Sequence, residues 1–312
     1  MRAVLQALTD ELRRLKSGGV KTVPVSDQSL AALRRLTAER RETGDRMPEA
    51  GERIADAGFR EAEGGERMPA TSIASPVSGP PSALPAPPAV VLPSGDKRVR
   101  WQALRELVLN HPVCRAQVPP GLQVVFGVGN LDARIMFVGE APGAEEEQQG
   151  EPFVGPAGQL LNLMIKAMGL ERSDVYIGNI MNWRPERARR TDGTQAGNRE
   201  PTPEEAAFCL PFLTAQIDVV DPALIVALGA TAARGLLGAR SVRSLGDVRG
   251  RWHDFRGKPL RVTYHPSYLL RKQQDGGEMA RRAKRAAWED FLAVMERAGL
   301  PISDKQRGYF RS

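Results

Sequence analysis

The stretch from Ile135 to Gly158, IMFVGEAPGAEEEQQGEPFVGPAG, constrains this chain more than any other. Its apolar run Ile135-Met136-Phe137-Val138 reads as a buried strand and stops at the turn Gly139-Glu140-Ala141-Pro142-Gly143. Open α/β sheets build ligand sites at such strand ends. Gly139 and Gly143 either adopt backbone shapes closed to other residues or admit a ligand closely. A second Gly/Pro-rich turn, residues 150–158, carries Phe153, which has no helical or strand face to serve. Phe153 either plugs the core or stacks on a planar ligand. Among the consecutive Glu145, Glu146 and Glu147, at most one or two point inward, and a solvated helix start is the plain expectation.

Further strands and helices alternate after this stretch. Leu161, Met164, Ile165 and Met168 recur at helical spacing, and Gly169 ends that helix. Val175-Tyr176-Ile177-Gly178-Asn179 is a second strand that brings Asn179 to the same sheet edge as Glu140. Asn179 either reads a base edge, since an amide offers a donor and an acceptor together, or closes an Asx-type loop bond. Thr202 as N-cap, Pro203 at N1 and Glu205 at N3 open a helix with Ala206, Leu210, Leu213 and Ile217 on its buried stripe. Leu224 to Leu228 is an uninterrupted apolar strand turned by Gly229 into a helix over 230–237. An Arg256-Gly257 turn joins two short strands, and Leu260 to Tyr264 feeds His265-Pro266-Ser267-Tyr268-Leu269-Leu270-Arg271. Trp288, Phe291, Leu292 and Met295 mark the core face of a last helix. This alternation predicts a three-layer α/β/α sandwich around a small, mostly parallel sheet.

Upstream, Leu5, Leu8, Leu12 and Leu15 line one face of a short helix, and residues 1–40 read as a helical extension. Residues 41–94 are Pro/Ala/Ser/Gly-rich and predict a disordered linker. A folded domain is expected over 95–303 and a frayed tail over 304–312. The formal net charge of +7 suits nucleic acid without proving it. Two cysteines, Cys114 and Cys209, exclude a disulfide framework and fit a reducing cytoplasm. No apolar run approaches bilayer length.

The motifs of residues 135–158, together with the asparagine strand, NREPTPEE, LIVALG, RGRW and HPSYLLR in that order, resemble those of family 4 uracil-DNA glycosylases, over about two thirds of the chain. The chain resembles a divergent bacterial form. The resemblance implies a monofunctional glycosylase that flips deoxyuridine out of DNA and hydrolyses its N-glycosidic bond, acting as a monomer in the cytoplasm. It implies that Phe153 stacks on uracil, Asn179 reads its edge, His265 donates toward O2, and Glu140 handles water or the sugar cation. Ala141 and Gly143 would line the pocket. Leu269, Leu270 and Arg271 would enter the minor groove beside the flipped nucleotide, with Ser267 on the same DNA-contacting loop. Arg184, Arg187, Arg189 and Arg190 form a basic loop that meets phosphates or only solubilises, and the same two readings hold for Arg281, Arg282, Lys284 and Arg285. Contacts with repair proteins are expected of the N-terminal extension.

Iron–sulfur members of that family would supply four cysteines. Here Cys209 keeps one place, Trp183 occupies another, and the N-terminal pair is reduced to Cys114. Two thiolates do not hold a four-iron cluster in the usual way, so no cofactor and no metal are expected. The rival readings are action on another deaminated base, covalent bonding to uracil-DNA, and a non-catalytic DNA-binding module. The inserted loop 186–197 has arginines but no histidine, which speaks against covalent capture. Gly139 and Gly143 supply no GxGxxG turn, which speaks against a dehydrogenase.

Overall fold

A computed structural model describes residues 84–185 and 198–311. The expected N-terminal helices, most of the linker and the loop arginines Arg187, Arg189 and Arg190 lie outside the described residues.

Helices α1 (Lys97–Asn110) and α2 (Pro112–Ala116) precede a short strand β1 (Val128–Gly129) and the central strand β2 (Ile135–Gly139). Then come α3 (Ala144–Gln149), α4 (Pro156–Ala167), β3 (Tyr176–Asn179), α5 (Pro203–Val220), β4 (Leu224–Leu228), α6 (Ala230–Leu237) and α7 (Leu245–Val248). The hairpin β5 (Trp252–Phe255) and β6 (Lys258–Thr263) leads into α8 (Pro266–Asp275), α9 (Gly277–Arg297) and α10 (Asp304–Gly308). The sheet order is β1-β3-β2-β4-β6-β5. The four inner strands run parallel, and β1 and β5 pair antiparallel at the two edges.

Strand alternation produces the three layers. Ile135 and Phe137 point into one core with Leu161 and Ile165 of α4 and Trp288, Phe291 and Met295 of α9. Their neighbours Met136 and Val138 point into the opposite core with Leu213 and Ile217 of α5 and Ala232 and Leu236 of α6. Every β2 residue is buried, so the strand reads as an unbroken apolar run. The α/β/α expectation holds. The N-terminus of α5 forms as expected, with Thr202 Oγ1 accepting from Glu205 N at 3.2 Å and the Glu205 carboxylate accepting from Thr202 N at 2.8 Å.

Several expectations need correction. The end of the supposed linker is not unstructured against solvent, because Leu84, Val90 and Leu92 pack on a third core cluster with Leu104, Trp183 and Phe208. The tail is docked rather than frayed. Ser303 caps α10, the Trp288 indole donates to Gln306 O at 2.6 Å, and Gln306 Nε2 donates to Ala167 O at 2.8 Å. The HPSYLLR segment is the first turns of α8 rather than a loop. No helix among the described residues is long and apolar enough to cross a membrane.

Candidate active site

The parallel strands deliver their C-terminal ends to one cleft of about 1020 Å³, lined by Glu140, Phe153, Asn179 and His265 among others. Asn179 ends β3 and pairs in register with Gly139 at the end of β2. His265 follows β6 as the N-cap of α8. The Phe153 and His265 rings lie 5.6 Å apart at 30°. A methyl on Gly139 would overlap Asn179 Oδ1 and sit 2.5 Å from Phe153 Cζ, so amide and phenyl ring both close over that glycine. Three groups drawn from distant segments therefore meet around one space. Gly139 and Gly143 keep ordinary backbone conformations, since neither has positive φ; what they supply is room.

Asn179 is buried, and its Oδ1 has no hydrogen-bond partner within the protein. An unpaired buried acceptor is costly, and a ligand N–H removes the cost. The Asx-type bond is thus not what this oxygen makes. The His265 ring has a defined tautomer. Ser267 N donates to His265 Nδ1 at 3.1 Å, and Ser267 Oγ lies 2.8 Å from the same nitrogen. A neutral ring that accepts at Nδ1 carries its proton on Nε2. Burial, reinforced by the positive charge of Arg271, pushes the His265 pKa down to about 4, so the ring is neutral at ordinary pH. Ser267, expected to face DNA, has its hydroxyl engaged by His265 and by Arg271 Nη1 at 3.4 Å.

Glu140 extends from the β2 turn, half-buried. Burial is the main cause that raises its pKa above the usual carboxylate value; Glu200 adds to the rise, while a Thr231 hydrogen bond, Arg234 and Arg271 oppose it. Thr231 stands in the first turn of α6, so Glu140 faces a helix N-terminus. The starts of α4, α6 and α8 all border the cleft, at Pro156, Thr231 and Ser267. Three positive dipole ends there favour negative charge.

The acidic run is not solvated as a whole. Glu146 accepts from Gly143 N at 3.0 Å, from Val154 N at 3.1 Å and from Gly155 N at 3.0 Å, tying both pocket turns together. Glu147 is buried and paired with Arg184 at 2.9 Å. Only Glu145 is exposed. The negative charge of Glu146 and Glu147 is therefore engaged inside the protein. The same pair corrects the reading of Arg184, whose Nε also donates to Asn198 Oδ1 at 2.8 Å; its guanidinium braces the pocket wall rather than reaching for phosphates. Leu269 is corrected too. It is 3 % exposed and packs with Ala283 and Ala287, so it is no wedge. Leu270, Arg271, Ala141 and Gly143 all border the cleft.

Sequence reasoning missed Glu146 and Thr231. Glu146 had a local signal, its position three residues after a turn glycine. Thr231 had a weaker one, two residues past the glycine that ends β4.

Cys114 and Cys209 are both fully buried in the third core cluster, beside Trp183. The Trp183 ring lies 6.0 Å from Phe208, and the His111 ring packs edge-on to Phe208 and Phe212. Burial pushes the Cys114 thiol up to about 12 and the Cys209 thiol well above its ordinary value. Among the described residues no three His, Cys, Asp or Glu side chains are grouped to hold a metal. Two thiols and an indole do not match the four-thiolate donor set of a cluster.

A mostly parallel sheet in an α/β/α sandwich thus brings an aromatic ring, an amide and an imidazole to one pocket at its C-terminal edge. The model of the uracil DNA glycosylase superfamily matches residues 126–292. The type-4 uracil-DNA glycosylase of Thermotoga maritima is 48% identical over 153 residues, 49% of this chain and 74% of that protein. The type-4 enzyme of Pyrobaculum aerophilum is 39% identical over 183 residues, 57% of this chain and 88% of that protein. A type-5 uracil-DNA glycosylase of the same organism is 30% identical over 156 residues, 45% of this chain and 64% of that protein. The chain belongs to the uracil-DNA glycosylase superfamily, as a type-4-like DNA glycosylase.

Proposed function

We propose that the protein excises uracil from DNA by flipping the deoxyuridine into this cleft and stabilising the departing uracil anion. The observation that carries the reading is the buried, unpartnered Asn179 Oδ1 beside the Phe153 ring. That oxygen accepts the N3–H of uracil and the Asn179 NH₂ donates to its O4. Cytosine presents the opposite pattern, an acceptor at N3 and a donor at C4, and leaves both groups mismatched. Phe153 covers the base face. A stacked base is out of reach of such a pocket, so the nucleotide leaves the duplex. Leu270 fills the gap and Arg271 meets the backbone.

As the N-glycosidic bond breaks, its electrons pass to the base and the sugar gains cationic character. Neutral His265 donates its Nε2–H to uracil O2, where the charge gathers. This hydrogen bond strengthens in the transition state, and the converging helix N-termini act in the same sense. Glu140, as carboxylate, offsets the sugar cation and orients the water that adds to it. The products are free uracil and an abasic site. The paired-carboxylate scheme of ordinary glycosidases does not apply.

Part of the reading is that no iron–sulfur cluster is needed. The Trp183 indole packs with Phe208, Phe212 and the two buried cysteines in the core where the resemblance would put the cluster. Iron analysis and a visible-range absorption spectrum of anaerobically purified protein test this point. Stoichiometric iron would overturn it.

The functional test is product analysis on matched single- and double-stranded oligonucleotides carrying uracil, hypoxanthine or no lesion. Free uracil with an alkali-labile site is the expected result. A persistent protein–DNA adduct would select covalent capture. DNA binding with no base released at any salt concentration would select a binding module.

A further inference from the structure

Phe153 has φ of 54°, a left-handed conformation that a bulky side chain rarely adopts. Such a residue persists only where its surroundings over-determine it. Three restraints do so here. Gly158 packs directly beneath it, and a methyl there would overlap the Phe153 carbonyl. Glu146 holds the two following amides, Val154 N and Gly155 N. Arg172, 19 residues further along the chain, holds the carbonyls: Nη2 donates to Pro152 O at 2.7 Å and Nη1 to Phe153 O at 3.3 Å.

We propose that Arg172 is a positioning residue for base recognition: by gripping two successive carbonyls it keeps Phe153 left-handed and so fixes the aromatic face of the pocket. The proposal rests on the reading of Phe153 as the surface on which uracil stacks. The planar fork suits the task, since its donors have fixed directions. Asn162 Oδ1 accepts from Nη1 at 3.0 Å and orients the fork from α4. The remaining partner is Glu151, at 3.0 Å. With its side chain 46 % exposed, Glu151 makes a partly solvated ion pair, which ranks below the carbonyl contacts. Released from this grip, Phe153 relaxes toward negative φ, and its ring swings off the face it shares with His265.

The test is a double-mutant cycle. Arg172→Ala, Arg172→Lys, Glu151→Gln, Phe153→Ala and the Arg172→Ala/Phe153→Ala pair are compared in full-length protein. Single-turnover excision, inhibition by free uracil, binding of undamaged DNA and thermal unfolding are measured. Arg172→Ala should lower excision and weaken uracil inhibition by about tenfold each, leaving undamaged DNA binding unchanged. Arg172→Lys should fall between, and Glu151→Gln should stay near wild type. In the Phe153→Ala background, removing Arg172 should cost less than about twofold. A loss of the same size in both backgrounds would overturn the proposal, as would unaltered uracil inhibition in Arg172→Ala. Should Arg172→Ala unfold, Arg172→Lys carries the same cycle. If wild type releases no uracil, or Phe153→Ala excises and binds uracil normally, the stacking reading itself fails and this proposal fails with it.

Discussion

Gly139→Ala tests the pocket with one methyl group. Gly139 has no positive φ, so alanine brings no backbone strain, and its whole effect is steric. The new carbon would sit 2.5 Å from Phe153 Cζ and overlap Asn179 Oδ1. Carbon atoms pack at about 3.5–4.0 Å, so the ring must retreat by about 1 Å or the amide must turn away. Crowding a packed site in this way costs about 1–3 kcal/mol of stability. A misplacement of about 1 Å in a reacting constellation costs on the order of 100-fold in rate. The variant should therefore unfold a few degrees lower, bind undamaged DNA as wild type does, and lose about two orders of magnitude in single-turnover uracil excision. Excision kinetics, salt-dependent DNA binding and thermal melting, measured side by side, separate these effects. Wild-type excision by a folded Gly139→Ala protein would refute the convergence of Asn179 and Phe153 over this glycine.

Other outcomes follow from the same geometry. The Glu140 pKa is raised above its usual 4.5, while His265 takes up a proton only near pH 4. As pH falls, the carboxylate is therefore lost before the imidazole charges, and the acid limb of single-turnover excision should lie above pH 4.5 and vanish in Glu140→Gln; an unchanged limb in that variant would reassign it. His265→Ala should cost about 10²–10³-fold in excision with DNA binding intact, as removal of an oxyanion donor does. Leu269→Ala should cost about 2–5 kcal/mol in denaturant melts because it opens a cavity, whereas Leu270→Ala should leave stability unchanged and slow excision from duplex more than from single strands. Equal stability losses in the two leucine variants would contradict their placement.

Much of the fold is legible in the sequence because a doubly covered sheet needs apolar runs that few other contexts tolerate, as at Ile135–Val138 and Leu224–Leu228. The pocket residues are legible because strand ends and turns place Asn179, His265 and Glu140 at one edge. What stays hidden is helix phase and tertiary pairing. Leu269 and Leu270 are chemically identical neighbours, and only the packing of α8 on α9 sends one inward. Arg184 looks like a phosphate ligand until the buried Glu147 is found opposite it. The docked tail carries a local signal in the capping pair Ser303 and Gln306, yet their polarity reads as solvent-facing without the Trp288 indole that reaches Gln306 O.

The bond from Arg184 to Asn198 joins two residues that flank the inserted segment 186–197. Closing a loop at its neck makes its length thermodynamically inexpensive, since each doubling adds only about 0.6 kcal/mol of closure entropy. The Glu147–Arg184 wall of the cleft is thus tied to the chain on both sides of that segment, so a change at either anchor reaches the pocket.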